Sequence, residues 1–255
     1  MKTIVIIPAR LKSSRLDKKV ILELEGKPIV QHVYEQCLKA KKIKEVYIAV
    51  DNEEVLKICK TFTKNIIMTS EEHNSGTDRI AEAIKKIKCD NVINVQGDEP
   101  FINPETIDKL AIKLSKEKTN MVSVMSRIKT IRELKDHNVV KVIINKKSEA
   151  IYFSRSIIPH HRDEWEILLN KHKKIPKALN FYKHIGIYGY KKDFLLKYSK
   201  LQMTYLEKLE KLEQLRVIEN GFKIKMIKIK EDTIGIDTIK DYKKAKKIIK
   251  KSKKN

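Results

Sequence analysis

The first half of the chain alternates short apolar runs with longer segments in which apolar residues recur every three or four positions. The runs have the length and β-branched content of buried strands, and the spacing in the intervening segments is that of amphipathic helices. This alternation predicts a parallel sheet with helices on its faces, joined by right-handed crossovers. The predicted strands are 3–7, 45–50, 65–69 and 91–96, and the predicted helices are 27–40, 53–62, 77–88 and 104–114.

The pattern changes after residue 121, where predicted strands become more frequent. Residues 145–148 (NKKS) predict a hairpin turn, and residues 156–177 are polar, rich in histidine and without a clear period. We expect one α/β domain whose main part comprises about 1–120 and 222–255, with a smaller insertion at about 121–221. The predicted strands are 121–128, 139–144, 149–153, 184–190 and 222–229, and the predicted helices are 193–199, 205–219 and 238–251.

The composition argues against several classes of protein. No apolar stretch approaches the roughly 20 residues of a membrane span, and the cysteines Cys37, Cys59 and Cys89 are widely spaced, which favours reduced thiols and a cytoplasmic location. The net charge of +23 arises from 48 lysines and only 8 arginines. Nucleic-acid-binding proteins usually cluster basic residues and mix in arginine and aromatics. A lysine-rich solvated surface is therefore favoured, with a basic nucleic-acid-binding protein as the alternative.

Two adjacent carboxylates follow one of the predicted strands. In residues 94–100 (NVQGDEP), Gly97 allows a tight turn beyond the carboxyl end of the strand. Ligands bind at that edge of an open α/β sheet, and carboxylates there commonly hold Mg²⁺ for a nucleoside triphosphate. If Asp237 converges on Asp98, the pair forms an oxygen-rich Mg²⁺ site. The alternatives are a polar turn at Asp98 and a helix N-cap at Asp237.

Two further loops lie at predicted strand ends. Residues 8–19 (PARLKSSRLDKK) contain no glycine and are not a Walker loop, yet their backbone N–H groups, Arg10 and Lys19 can cradle phosphates. Residues 73–79 (HNSGTDR) lie between a strand and a helix, where Gly76 permits close backbone approach and backbone groups can recognise a base edge. The alternatives are an ordinary solvated basic loop and an ordinary helix cap.

Together these segments resemble one family from end to end, the 3-deoxy-manno-octulosonate (Kdo) cytidylyltransferases, or CMP-Kdo synthetases. So many motifs in the same order argue against a chance match. The motifs are IIPAR (6–10) with SRL (14–16) and Lys19, GKP (26–28), His73 with SGT (75–77) and Arg79, NVQGDEP (94–100), YFSR (152–155) with IP (158–159) and RD (162–163), HIGIYGY (184–190), LEQLR (212–216) and GIDT (235–238).

The resemblance implies a Rossmann-like nucleotidyltransferase sheet with a smaller inserted region for sugar binding and dimerisation. It implies the reaction CTP + Kdo → CMP-Kdo + pyrophosphate, a step of lipopolysaccharide biosynthesis. The anomeric hydroxyl of Kdo attacks the α-phosphorus in line, so positioning and charge neutralisation dominate catalysis. The resemblance further implies a Mg²⁺ cofactor, a cytoplasmic location and a homodimer, with no specific nucleic acid and no membrane span.

The resemblance also implies roles for individual residues. The catalytic set is Arg10, Lys19, Asp98 and Asp237, of which Asp98 and Asp237 hold Mg²⁺. The nucleotide-binding set is Ala9, Arg10, Lys19, Ser75, Gly76, Arg79, Gln96 and Asp98. The sugar-binding set is Gln96, Arg155, Arg162, His184, Tyr188, Glu213 and Gln214. The alternatives are a buried structural histidine at His184, core packing at Tyr188 and solvated mid-helix positions at Glu213 and Gln214.

Residues 16–20 depart from the family pattern. The family usually has Leu-Pro-Gly-Lys-Pro there, whereas this chain has Leu-Asp-Lys-Lys-Val. Lys19 is kept but the rigid proline and flexible glycine are lost, so we expect a looser loop, whose ordering on triphosphate binding costs roughly 1–2 kcal/mol per residue. Asp78 replaces the commoner glutamate, and Lys183 an arginine. These changes bear on substrate affinity more than on the type of reaction.

The alternative function is transfer of the cytidylyl group to a related acid sugar, such as 8-amino-Kdo or a sialic acid.

Overall fold

A computed structural model describes residues 1–11, 16–73, 75–230 and 235–252. Part of the predicted phosphate loop, residues 12–15, lies outside this set, and so do the SR of the SRL motif. The chain forms two compact units, one of Met1–Glu117, Ile187–Ser199 and Thr233–Asn255, the other of Lys118–Gly186 and Lys200–Asp232. Residues 187–199 thus belong to the first unit and 222–232 to the second, which differs from the expected boundaries. That all 255 residues form a single domain stays a prediction.

The first unit is built on the predicted parallel sheet, and β1 (Thr3–Ala9) is central in it. β1 pairs in parallel with β4 on one side and with β6 on the other, and β4 pairs in parallel with β5. The second half of β10 adds an antiparallel strand beside β6, which explains why residues 187–191 belong to this unit. All of β1 is buried, as expected for a strand covered on both faces. The bounds are β2 (Glu23–Leu24), β3 (Lys27–Pro28), β4 (Glu45–Val50), β5 (Ile66–Met68), β6 (Asn91–Asn94) and β10 (Tyr182–Lys191).

Polar side chains fix where the helices of the first unit begin. Asn52, Ser75 and Asn103 each accept a hydrogen bond from a backbone N–H of the first turn, and a proline follows Asn103. These caps start the helices directly after the loops that leave the carboxyl ends of the strands. None of the helices in the described part of the chain is long and apolar enough to cross a membrane. The bounds are α1 (Ile29–Leu38), α2 (Glu53–Lys60), α3 (Gly76–Ile84), α4 (Pro104–Lys116), α7 (Lys192–Tyr198) and α10 (Ile239–Ser252).

The second unit combines a parallel strand pair with a hairpin. β7 pairs in parallel with β11, and β8 pairs with β9 in antiparallel fashion. The predicted turn at 145–148 is confirmed, because the backbone N–H of Ser148 donates to the carbonyl of Asn145 at 2.9 Å. The bounds are β7 (Met121–Arg127), β8 (Lys141–Ile144), β9 (Ala150–Ser154), β11 (Ile224–Ile229), α5 (Ile131–Lys135), α6 (Trp165–Lys171), α8 (Tyr205–Glu210) and α9 (Gln214–Glu219).

One expectation for the second unit was wrong. The single helix expected at 205–219 is two helices, α8 and α9, because Lys211 adopts a left-handed conformation (φ 53°, ψ 47°) that ends α8. The segment 156–177, for which the sequence predicted no element, contains α6. A buried ion pair joins the two short helices, in which Arg216 Nε donates to Glu207 Oε2 at 2.7 Å.

Lys211 gives a test of the helix break. A side chain in the left-handed region costs roughly 1–2 kcal/mol, whereas glycine adopts it freely. Lys211→Gly should therefore raise the free energy of unfolding in urea by about 0.5–1 kcal/mol. Lys208→Gly, inside α8, is the matched control and should lower it by about 1 kcal/mol. Equal changes in the free energy of unfolding for the two variants would contradict the left-handed conformation of Lys211.

Candidate active site

The carboxyl ends of β1 and β6 bring two of the predicted loops together. The strands pair in register, with Ile6 opposite Asn94, so the loops that follow them start side by side. Gly97 makes the close approach possible. A Cβ atom at this position would lie 2.9 Å from the carbonyl oxygen of Pro8 and 3.4 Å from Val20 Cγ1. Any larger residue at Gly97 would push the β6 loop away from β1.

Lys19 lies between the two predicted metal-binding carboxylates. Its ammonium group donates to the carboxylate of Asp98 and, at 2.9 Å, to Asp237 Oδ1. The backbone N–H of Ile236 donates to the carbonyl of Asp98 at 2.9 Å, which ties the segment before α10 to the β6 loop. Three residues far apart in the sequence therefore converge on one point of the first unit.

Burial and charge act in opposite directions on Lys19, which is 8% exposed. Burial lowers its pKa, but the neighbouring Asp98 and Asp237 outweigh burial, so the net pKa lies above the usual value. The side chain is therefore a firm cation at neutral pH. A fixed cation in this position can neutralise charge on a bound phosphate.

The altered loop before Lys19 has a defined conformation in its described part. Lys18 lies in the left-handed region (φ 51°, ψ 27°), and a short 3₁₀ turn, Lys19–Ile21, follows it. The Lys18 ammonium group contacts both carboxylate oxygens of Glu54, in the first turn of α2, at 2.8 Å. The described part of the loop therefore takes its turn without glycine or proline, and the looser loop expected from the sequence stays a prediction.

A small cavity lies at this convergence and has a volume of about 60 Å³. It is too small for a whole nucleotide, because ligand pockets usually measure hundreds of Å³. We interpret it as the floor of a more open site. Its lining residues are Pro8, Arg10, Lys19, Val20, Gln96, Gly97 and Asp98.

The start of α3 lies beside the same floor. A Cβ atom at Gly76 would lie 3.5 Å from Pro8 Cγ and 3.6 Å from Gln96 Oε1, so these three residues are neighbours. The Ser75 hydroxyl caps α3, since it accepts from the backbone N–H of Asp78 and donates to its carboxylate. The alternative of a helix cap at Ser75 is therefore realised. Gln96 Nε2 donates to Asn94 Oδ1 at 2.9 Å.

Arg79 is buried and bound to protein groups. Nη1 donates to Thr69 Oγ1 at 2.7 Å and to the carbonyl of Ser70 at 3.2 Å, and Nη2 donates to Asp51 Oδ2 at 3.0 Å. Its side chain is 2% exposed. A role for Arg79 in cytidine recognition stays a prediction, while these contacts show what its guanidinium group holds.

In the second unit, the side chains of His184 and Gln214, which both belong to the predicted sugar-binding set, lie next to each other. The amide nitrogen of Gln214 lies 3.4 Å from His184 Nδ1, and Ser123 Oγ lies 2.8 Å from Nε2. Because an amide nitrogen can only donate, Nδ1 is the acceptor and the neutral ring donates from Nε2 to Ser123. Burial lowers the pKa of His184 to about 3, so the ring offers hydrogen bonds rather than charge at neutral pH.

The other predicted sugar-binding residues are placed differently. Arg155 Nε donates to the carbonyl of Glu210 at 2.7 Å. Arg162 is 89% exposed, and its partner within the described part of the chain is Asp163. Tyr188 belongs to the first unit, where its ring stacks with that of Tyr190. Glu213 precedes α9 and Gln214 is its first residue, so the alternative of solvated mid-helix positions does not describe either of them.

The comparisons with known proteins agree with the motifs. A family model described as cytidylyltransferase matches residues 4–229. The 3-deoxy-manno-octulosonate cytidylyltransferase of Geobacter metallireducens is 44% identical over 96% of both chains, and that of Haemophilus influenzae (strain PittEE) is 43% identical over 98% of this chain and 100% of the relative. The chain belongs to the 3-deoxy-manno-octulosonate cytidylyltransferase family. A solved CMP:2-keto-3-deoxy-manno-octonic acid synthetase in complex with CTP superimposes with a TM-score of 0.90, at 35% identity, covering 99% of this chain and 100% of that chain.

One residue of the site region was missed in the sequence. Asp51 follows β4, whose last residue, Val50, lies opposite Ala9 of β1. Asp51 accepts hydrogen bonds from Leu11 and from Arg79. The signal was present, because an acidic residue at the carboxyl end of a parallel strand adjoins the ligand edge of the sheet.

The neutral His184 of this cytidylyltransferase-family member, whose ring lies among Ser123, Phe153 and Gln214, predicts a pH dependence of stability. Its folded pKa of about 3 lies below the usual value of 6.5. Below pH 6.5 the unfolded chain therefore binds a proton that the folded chain does not, and stability falls as the pH falls towards 3. The contribution is about 1.4 kcal/mol per pH unit.

Urea unfolding at pH 7, 6 and 5 measures this contribution. His184→Gln keeps an amide near Ser123. Between pH 7 and pH 5 its free energy of unfolding should fall less steeply than that of the wild type, and the difference in slope should correspond to about one bound proton. The comparison between the two proteins removes the effect of other titrating groups. Parallel curves for wild type and variant would show that His184 titrates in the folded protein.

Proposed function

We propose that the protein transfers the cytidylyl group of CTP to Kdo and releases pyrophosphate, as a step of lipopolysaccharide biosynthesis. The anomeric hydroxyl oxygen of Kdo forms a bond to the α-phosphorus, the bond from that phosphorus to the bridging oxygen breaks, and the hydroxyl proton is lost. The observation that carries this proposal is the convergence of Lys19, Asp98 and Asp237 in a chain of this family. Such a site suits phosphoryl chemistry, which needs charge neutralisation and alignment.

We assign the nucleotide to the first unit. Lys19 and the exposed Arg10 supply positive charge for the phosphates, while Ala9 and Gly76 bring backbone close to the floor of the site. Gln96 lies against Gly76, where it can bind the ribose or the sugar. In phosphoryl transfer such positioning groups supply most of the rate enhancement.

The carboxylates fit a Mg²⁺ ion. Asp98 and Asp237 already share one cation, the Lys19 ammonium group, so they are close enough to share a metal ion. Among the described residues there is no cluster of three or more His, Cys, Asp or Glu that could hold a metal. Two carboxylates plus substrate phosphates and water are a usual set for Mg²⁺. Asp98 and Asp237 would hold the ion, which would neutralise phosphate charge, and Lys19 would supply a further positive charge for the triphosphate.

We assign Kdo recognition to residues of the second unit, and for the first unit we propose sugar-binding roles for Gln96 and Tyr188. His184 and Gln214 present a neutral, hydrogen-bonding pair, which suits hydroxyl groups. Arg155, Arg162 and Glu213 complete the set, with the arginines suited to the Kdo carboxylate.

We further propose a homodimer located in the cytoplasm. The second unit exposes Met203, Tyr205 and Leu209, which gives it an apolar surface that a second copy could cover. Cys37, Cys59 and Cys89 are free thiols, as expected in a reducing compartment. Light scattering of the purified protein measures the oligomeric state.

A substrate panel tests the reaction. Pyrophosphate release should be fastest with CTP and Kdo, and at least tenfold slower when UTP or ATP replaces CTP. The same assay with 8-amino-Kdo and sialic acid separates the proposal from its alternative. Faster turnover with either of these sugars than with Kdo would reassign the sugar substrate and keep the cytidylyl transfer.

The two carboxylates give a second test. Asp98→Asn and Asp237→Asn should each lower kcat on the order of 100-fold without unfolding the protein, because charge on the metal and phosphates is no longer balanced. Mg²⁺ should raise the melting temperature of the wild-type protein with CTP but not that of the variants. Asp193→Asn, on the exposed surface of α7, is the matched control. Full activity of either site variant would remove that residue from the metal site.

A further inference from the structure

Asp51 connects the two nucleotide loops of the first unit. Its Oδ1 accepts from the backbone N–H of Leu11 at 3.1 Å, directly after Arg10. Its Oδ2 accepts from Arg79 Nη2 at 3.0 Å, in the first turns of α3. One carboxylate therefore spans the gap between the loop that leaves β1 and the helix that follows Gly76.

Arg79 is itself held in place on its other side. Nη1 donates to Thr69 Oγ1, and the Thr69 hydroxyl donates to the carbonyl of Val50 at 2.8 Å. Because Val50 is the last residue of β4, the guanidinium group is anchored to the sheet. The chain of contacts runs from β4 through Thr69 and Arg79 to Asp51, and ends on the backbone of Leu11.

The pair is buried, with 2% of the Arg79 side chain and 11% of the Asp51 side chain exposed. Burial lowers the pKa of Arg79, Asp51 opposes this, and the like charge of Arg10 adds to the lowering. Asp51 therefore also offsets repulsion between two arginines of the same region. Removal of one partner of a buried ion pair is costly because the other charge is left uncompensated.

We propose that Asp51 is a positioning residue for the nucleotide, which sets the separation between the Arg10 loop and the start of α3 through its bonds to Leu11 and Arg79. This inference rests on the proposed function, since it assigns the nucleotide to these two loops. Asp51 acts through Leu11 and Arg79 and does not touch the reacting atoms. The expected signature is a loss of affinity for CTP with little change in the affinity for Kdo.

Two variants grade the loss. Asp51→Ala removes both bonds and should raise the KM for CTP at least tenfold, with the KM for Kdo within twofold of wild type. Asp51→Asn keeps an acceptor for Leu11 and loses the ion pair, so its KM for CTP should lie between those of the wild type and Asp51→Ala. Calorimetric titration of CTP in the presence of Mg²⁺ should give the same order of affinities without turnover.

Glu207→Gln is the matched control for general destabilisation. It breaks the other buried arginine–carboxylate pair, Glu207–Arg216, which lies in the second unit. It should lower the melting temperature by an amount comparable to Asp51→Asn and leave the affinity for CTP unchanged. If the Asp51 variants do not fold, Arg79→Lys keeps the charge with a single donor group and should raise the KM for CTP severalfold.

Three results would overturn the inference. The first is that the folded Asp51 variants have a KM for CTP no higher than that of Glu207→Gln. If the Asp51 variants do not fold, the same comparison is made with Arg79→Lys. The second is an equal rise in KM for both substrates. The third is a wild-type protein that neither binds CTP nor releases pyrophosphate from it, and this result alone would overturn the proposed function as well.

Discussion

The candidate site of the first unit depends on one ammonium group held between two carboxylates. Lys19, Asp98 and Asp237 come from the loop after β1, the loop after β6 and the segment before α10. Two carboxylates so close together repel each other unless a cation separates them. Lys19 supplies that cation, and in doing so it holds three chain segments together at the place where we propose that the phosphates and Mg²⁺ bind.

Buried ion pairs perform a related task elsewhere in the molecule. Asp51 and Arg79 tie two loops of the first unit together, and Glu207 and Arg216 join two short helices of the second. A buried pair adds little net stability compared with apolar packing, but it tolerates little displacement because each charge needs its partner. Such pairs suit places where loops must be held at a set distance without a large apolar contact.

Much of this architecture was predictable from local patterns. The strand at 45–50 was predicted with its observed bounds, and the hairpin turn at 145–148 was found, because apolar runs and turn residues act over a few positions. The break at Lys211 was missed, since a left-handed lysine has no sequence signal of the kind that glycine gives. The role of Asp51 was missed for another reason, because its contacts with Arg79 and Leu11 span 28 and 40 positions of the chain.

The sequence by itself determined the family, the α/β class and the presence of a parallel sheet, because hydrophobic periodicity and contiguous motifs are local properties. Only the tertiary structure decided which polar side chains meet. It placed Lys19 between Asp98 and Asp237 and paired Arg79 with Asp51. It also surrounded His184 with protein groups, and the resulting burial keeps the ring neutral. Charge state and hydrogen bonding depend on burial and on partners distant in the chain, and these exist only once the strands have paired.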